Sequence, residues 1–108
     1  METGIHFVKI ADKIDELRFA ENNIAVVFAR HKKICIAKSG SGLAAFSAVC
    51  PHASGDLSGG LLDKKGNIIC PVHGYRFSTS SGRDSNGEGY FLKIYTLEQT
   101  AEGIFLRL

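Results

Sequence analysis

Cys50-Pro51-His52-Ala53 and, separated from His52 by seventeen residues, Cys70-Pro71-Val72-His73-Gly74 are the two short stretches on which the reading of this chain turns. Each offers one soft thiolate and one imidazole, so together they supply four side chains of the types that bind transition metals. A proline follows each cysteine, and its locked φ and missing N–H stiffen the backbone beside the candidate ligand. Gly55, Gly59, Gly60 and Gly74 permit left-handed turns and close backbone approach. Residue types and spacing alone leave several occupants open. Zn²⁺ also accepts two cysteines and two histidines tetrahedrally, as in a zinc-stabilised interaction module. A proline after each cysteine and an opening Cys-x-His are unusual for zinc ribbons. A chance arrangement would leave a polar segment with no reason to be ordered.

Outward from these stretches the chain reads as strands. From Cys50 to Gly74 it is rich in Gly, Ser and Asp and holds the only two prolines, with Leu61-Leu62 and Ile68-Ile69 as apolar islands. Upstream, Ile5-His6-Phe7-Val8-Lys9-Ile10 has β-branched and aromatic strand character. Asp12-Lys13-Ile14-Asp15-Glu16-Leu17 predicts a single helical turn with Asp12 as N-cap. Asn22-Asn23 marks a turn before Ile24-Ala25-Val26-Val27-Phe28-Ala29, an apolar run of the length of a buried strand. Arg30-His31-Lys32-Lys33 reads as a solvated hairpin tip leading into Ile34-Cys35-Ile36-Ala37. Ser39-Gly40-Ser41-Gly42 turns the chain into Leu43-Ala44-Ala45-Phe46-Ser47-Ala48-Val49. Downstream, strands are expected at Arg76-Phe77-Ser78, at Tyr90-Phe91-Leu92-Lys93-Ile94-Tyr95 and at Ile104-Phe105-Leu106-Arg107-Leu108. Short strands, Gly-rich turns and almost no helical periodicity argue for an all-β antiparallel sandwich or barrel.

Length and composition bound the rest. The 108 residues fit one domain, 1–108, with a loop-rich insertion at about 49–77. Hydrophobic residues at 44% and charged residues at 22% are ordinary globular chemistry, which excludes a disordered chain. A net charge of +2 is too weak a bias to imply nucleic acid or a membrane surface. No run approaches the ~18 apolar residues of a membrane helix, and the N-terminus lacks a basic leader. Three cysteines are an odd count without the spacing of a secreted disulfide framework, so a cytoplasmic location is expected, where thiols stay reduced. Cys35, between two isoleucines, reads as core packing. His6 and His31 carry no assigned role, and Arg76, close to the second stretch, reads as either a partner contact or an ordinary surface residue.

The pattern Cys-x-His, seventeen residues, Cys-x-x-His resembles the ligand motif of the Rieske iron–sulfur family, and the flanking Gly59-Gly60, Phe77 and Gly82 strengthen the likeness. The resemblance covers the whole chain. It implies a Rieske-type antiparallel β-sandwich or barrel with a small cluster-binding subdomain of loops and short strands. It also implies one [2Fe–2S] cluster per chain, with Cys50 and Cys70 on one iron and His52 and His73 on the other. Replacing two thiolates by neutral imidazoles makes the cluster less negative and raises its potential to roughly −150 to +300 mV, against about −400 mV for plant-type ferredoxins. High-potential members carry a disulfide between the two loops; the matching positions here are Ser54 and Val72. Their Ser and Tyr donors to cluster sulfur correspond to Tyr75 and Phe77. Phe77 has no donor, and the bulkier Tyr75 does not suit a serine's place, so the low end of the range is expected. Family members often have a Gly-Pro loop over the cluster; Gly87-Glu88-Gly89 lacks the proline, and Glu88 reads as a solvated loop residue, with a carboxylate near the cluster as the alternative.

The function implied is a small soluble carrier passing single electrons, with no catalysis of its own, since a chain ending at Leu108 leaves no room for a second cofactor domain. Its partners by resemblance are a ferredoxin reductase and an oxygenase or other oxidoreductase, met transiently. The alternative is a fixed small subunit of a larger oxidoreductase such as nitrite reductase. If the ligand assignment holds, His52→Cys lowers the midpoint potential toward the all-thiolate value of about −400 mV. Voltammetry checks the sign, and a rise contradicts the assignment.

Overall fold

The computed structural model describes residues 7–40, 42–52 and 55–108. Ile5, His6, Ser41, Ala53 and Ser54, which figured in the expectations above, lie outside them. Among the described residues, ten strands form three antiparallel sheets: β1 (Phe7–Ala11), β2 (Ile24–Ala29), β3 (Lys32–Ser39), β4 (Gly42–Ser47), β5 (Leu61–Leu62), β6 (Asn67–Ile69), β7 (Arg76–Ser78), β8 (Ile94–Tyr95), β9 (Leu97–Thr100) and β10 (Gly103–Arg107). The sheet orders are β1-β10-β9, β2-β3-β4-β8 and β5-β6-β7. Among the described residues there is no α-helix, so the all-β expectation stands.

The four-stranded sheet is the middle layer. Its alternating side chains enter two separate cores, as the two-residue period of a strand requires. From β3, Cys35 and Ala37 join Phe46, Leu57, Ile68, Phe77 and both Cys50 and Cys70 on one face. Ile34 and Ile36 join Ala25, Ala45, Ile104 and Leu106 on the other. Burial on both faces explains why four consecutive residues of β3 are apolar and buried. Cys35 is a core residue as expected. Burial, with a smaller contribution from Asp56, pushes its thiol up to about 12.

The β2–β3 hairpin turns at Arg30 and His31, whose φ values of 51° and 68° are those of a type I′ turn. The basic run is therefore the hairpin tip that its polarity suggested. Four expectations need correction. The helical turn shrinks to a 3-10 turn at Ile14–Glu16 capped by Lys13. Asp12 is not its N-cap, because its carboxylate pairs with Lys9 while its N–H donates to Glu16 Oε1 at 2.8 Å. Strand β2 is not fully buried: it lies at a sheet edge, and Phe28 is 74% exposed. The strand expected over residues 90–95 reduces to Ile94–Tyr95, since Phe91 bridges to Arg83 and Leu92 N–H donates to Gly82 C=O at 2.7 Å. Finally, β9 was not expected. Its sequence Leu97-Glu98-Gln99-Thr100 is polar because three of its four residues face solvent, and only pairing with β10 makes it a strand.

Phe46, fully buried, packs in the core that also contains both ligand-loop cysteines. Phe46→Ala is expected to cost about 3–5 kcal/mol in chemical denaturation. A loss below about 1 kcal/mol would show that the middle sheet and the ligand loops do not share a core.

Candidate functional site

The two sequence stretches become two loop tips that close in the same way. Cys50 begins the first loop, and its N–H donates to Gly55 C=O at 2.9 Å. Beneath it Val49 bridges Asp56, and Leu57 N–H donates to Ala48 C=O at 2.7 Å. Cys70 begins the second loop, and its N–H donates to Tyr75 C=O at 2.8 Å across the β6–β7 hairpin. Gly74, with φ +75°, lets the chain reverse just after His73, and its N–H donates to Cys70 C=O at 3.0 Å. Proline after each cysteine suits these tips, where its missing donor breaks no ladder bond.

The tips touch. A Cβ placed on Gly55 would lie 2.4 Å from Val72 Cγ2 and 3.2 Å from Cys70 Sγ, so the first loop passes the second at a distance only glycine allows. Cys50 and Cys70 are each 1% exposed in one core cluster, and no disulfide joins any of the three cysteines. The His52 and His73 imidazoles have ring centroids 5.2 Å apart, edge to face. The two thiols thus share one core cluster, and the two imidazoles meet edge to face. Two further contacts moor the first loop. Lys33 pairs with Asp56, and that bond, followed by Ser58, draws the Asp56 carboxyl down to about 2. Asn22 Nδ2 donates to the carbonyls of Ser58 and Gly60 at 2.9 and 2.8 Å.

The two histidines are not equivalent. His73 is exposed, whereas His52 is half-buried under the Tyr75 ring, which stacks on it at 3.8 Å with 13° between planes. Tyr90 meets His52 edge-on at 5.2 Å. His52 Nδ1 is buried and has no hydrogen-bond partner among the described residues. A buried polar atom left unmatched costs about 1–3 kcal/mol, and a metal ion is a natural partner for a ring nitrogen. Among the described residues, no three His, Cys, Asp or Glu side chains converge on a single ion. Two thiols and two imidazoles divided between two irons ask for no such convergence, so the donor set fits a binuclear cluster.

Sequence reasoning placed a covering loop at Gly87-Glu88-Gly89 but missed the contacts that hold it. Glu88 is not merely solvated: its carboxylate accepts a short hydrogen bond from the Tyr75 hydroxyl. That bond, ahead of desolvation, pushes the Tyr75 hydroxyl up to about 12. Tyr75 therefore directs its hydroxyl to the cover loop, in keeping with the expectation that it does not replace a serine donor. Asp84 is 3% exposed, and its carboxylate accepts from the N–H of Tyr90 at 2.9 Å and of Glu88 at 3.3 Å. Desolvation pushes Asp84 upward, but backbone donors from Tyr90, Glu88, Gly87 and Asn86 outweigh it and hold the carboxyl below its usual range. An Asp followed by Ser-Asn-Gly is a turn signal that would have marked this loop.

The family model of the Rieske [2Fe–2S] domain matches residues 7–89. Three solved structures give the measure of the fold. The ferredoxin of carbazole 1,9a-dioxygenase from Nocardioides aromaticivorans IC177 superposes with a TM-score of 0.77 at 20% identity, over 93% of this chain and 95% of that one. A chain from a complex of reduced oxygenase and oxidized ferredoxin in carbazole 1,9a-dioxygenase gives 0.76 at 21% identity, over 94% and 92%. A chain assigned as the small subunit of an NADH-dependent nitrite reductase from Mycobacterium tuberculosis gives 0.75 at 17% identity, over 95% and 94%. At these identities the likeness establishes the fold. No curated protein matches the chain in sequence.

The contact between the tips is testable. Gly55→Ala forces a methyl group against Val72 and toward Cys70, so iron content after reconstitution falls several-fold. Adding Val72→Ala removes the closest obstacle and restores much of it. A Gly55→Ala protein that loads normally would mean that the two tips are not held together.

Proposed function

The chain belongs to the Rieske [2Fe–2S] domain family, and from that premise we propose that it holds its one cluster on Cys50, His52, Cys70 and His73 and carries single electrons between oxidoreductases. The observation that carries the ligand assignment is the buried Nδ1 of His52, without a hydrogen-bond partner among the described residues and on a ring that meets a second imidazole, in a chain whose Cys50 and Cys70 are both buried in one core cluster. Two imidazoles in place of two thiolates give such a cluster a higher potential than an all-cysteine ferredoxin, and that is the chemistry it supplies. The protein's own part is to keep Cys50 and Cys70 away from water and to present His73 at the surface, which shortens the path to a partner. Phe77, with no donor, and Tyr75, its hydroxyl given to Glu88, support a potential at the low end of the family range.

In this reading residues 1–108 act as one domain, with 49–77 as the cluster-binding insertion. The electron donor is a ferredoxin reductase and the acceptor an oxygenase or similar oxidoreductase. Two of the structures sharing the fold are a dioxygenase ferredoxin and a chain from an oxygenase–ferredoxin complex. Such encounters bury little surface, typically under ~1,200 Å². No helix among the described residues is long and apolar enough to cross a membrane. Three cysteines without a disulfide suit a cytoplasmic setting. A second reading, a fixed small subunit of a larger oxidoreductase, is favoured by exposed Val26 and Phe28 on edge strand β2, and a nitrite reductase small subunit shares the fold.

Anaerobic reconstitution is expected to give about two iron and two sulfide per chain, a coloured protein and a rhombic paramagnetic signal after reduction. Replacing any of the four proposed ligands by Ala should abolish the signal. A colourless wild type, or a signal indifferent to His52→Ala and His73→Ala, overturns the assignment. Reversible electron exchange with a separate reductase supports the mobile carrier, whereas stoichiometric co-purification with a large catalytic subunit supports the second reading.

A further inference from the structure

We propose that Tyr75 is a positioning residue for His52, held against the imidazole by Glu88 on a loop that the buried Asp84 carboxylate organises. This rests on the reading of His52 as a cluster ligand.

The geometry forms a continuous chain of contacts. Asp84 N–H donates to Tyr90 C=O at 3.2 Å, while Tyr90 N–H donates back to Asp84 Oδ2 at 2.9 Å, closing residues 84–90 into a compact loop. The same carboxylate accepts from Glu88 N–H at 3.3 Å, which places the Glu88 side chain. Burial of the carboxylate, at 3% exposure, shields these bonds from water and strengthens them. Glu88 then accepts the Tyr75 hydroxyl. Tyr75 lies nearly parallel to His52, with ring centroids 3.8 Å apart. Tyr90, from the far end of the loop, meets His52 edge-on at 5.2 Å and Tyr75 at 5.9 Å.

A histidine ring turns about its Cβ–Cγ bond by passing through orientations perpendicular to its starting plane. With one aromatic face at stacking distance and a second ring against its edge, that sweep is blocked. His52 Nδ1 stays aimed into the buried side of the site, where it has no partner among the described residues. His73, by contrast, is exposed. The device therefore acts on one imidazole of the pair. It also supplies a tether where Gly87-Glu88-Gly89 has no proline to stiffen the loop: a side-chain hydrogen bond to Tyr75 replaces a restricted backbone.

Pulsed paramagnetic resonance of the reduced, reconstituted protein resolves the couplings of coordinated imidazole nitrogens, and these depend on ring orientation. Tyr75→Leu is expected to change or broaden one of the two nitrogen couplings and leave the other as in wild type. It should also speed cluster loss to a chelator roughly 10-fold, the scale of losing a group that orients a ligand. Glu88→Ala, at an exposed position, should accelerate loss in the same direction, and Glu88→Gln, whose amide oxygen still accepts the hydroxyl, should restore the wild-type rate. Unchanged couplings and release in both Tyr75→Leu and Glu88→Ala overturn the proposal. Should Tyr75→Leu fail to fold, the Glu88→Ala and Glu88→Gln pair decides alone: equal release rates in the two overturn it. A wild-type spectrum without two imidazole nitrogens overturns the ligand assignment itself, so the two failures are distinguishable.

Discussion

The approach of two loop tips at Gly55, Val72 and Cys70 is the constraint on which the rest of the molecule depends. Neither loop has enough apolar surface to order itself, and each must present a thiol inward and an imidazole outward. Contact closer than any side chain on Gly55 would allow locks the second tip against the first. The pair of cysteine N–H bonds, to Gly55 C=O and Tyr75 C=O, then sets where each loop begins and ends. The two cysteines share one core because two loop ends are pressed together, not because any one segment is preshaped.

The middle sheet supplies the foundation. Because β3 and β4 are packed on both faces, Phe46 and Cys35 can reach Leu57, Ile68 and Phe77 beneath the tips while Ile34 and Ile36 anchor the opposite layer. The loops thus rest on a core that is itself pinned from behind. The polar moorings have a different role. Asn22 to the carbonyls of Ser58 and Gly60, and Lys33 to Asp56, fix the first loop laterally, where apolar packing alone is not directional.

The cover makes the site asymmetric. His52 is enclosed by Tyr75 and Tyr90, and His73 meets solvent. One buried carboxylate, Asp84, is responsible for the shape of the covering loop, with its cost of burial offset by several backbone donors. A carrier needs both properties at once. One side of the centre must be held still and dry, and the other must be reachable.

What the amino-acid order determined by itself was the fold class, and it offered a candidate ligand set. Thiolates and imidazoles at a recognisable spacing, beside proline, are legible locally, and a short continuous apolar run such as Ile34-Cys35-Ile36-Ala37 reads as a strand buried on both faces. Elements whose identity depends on a distant partner were not legible. Strand β9 is polar and exists through β10; residues 90–93 leave the expected strand because Gly82 and Arg83 claim their bonds; Asp12 gives up its cap to Lys9. Glu88 reads as a solvated residue in sequence because Tyr75 is thirteen positions away. Only the tertiary structure decided which histidine is covered and which is exposed, since that choice arises where hairpin, loop and sheet meet, and no spacing along the chain encodes it.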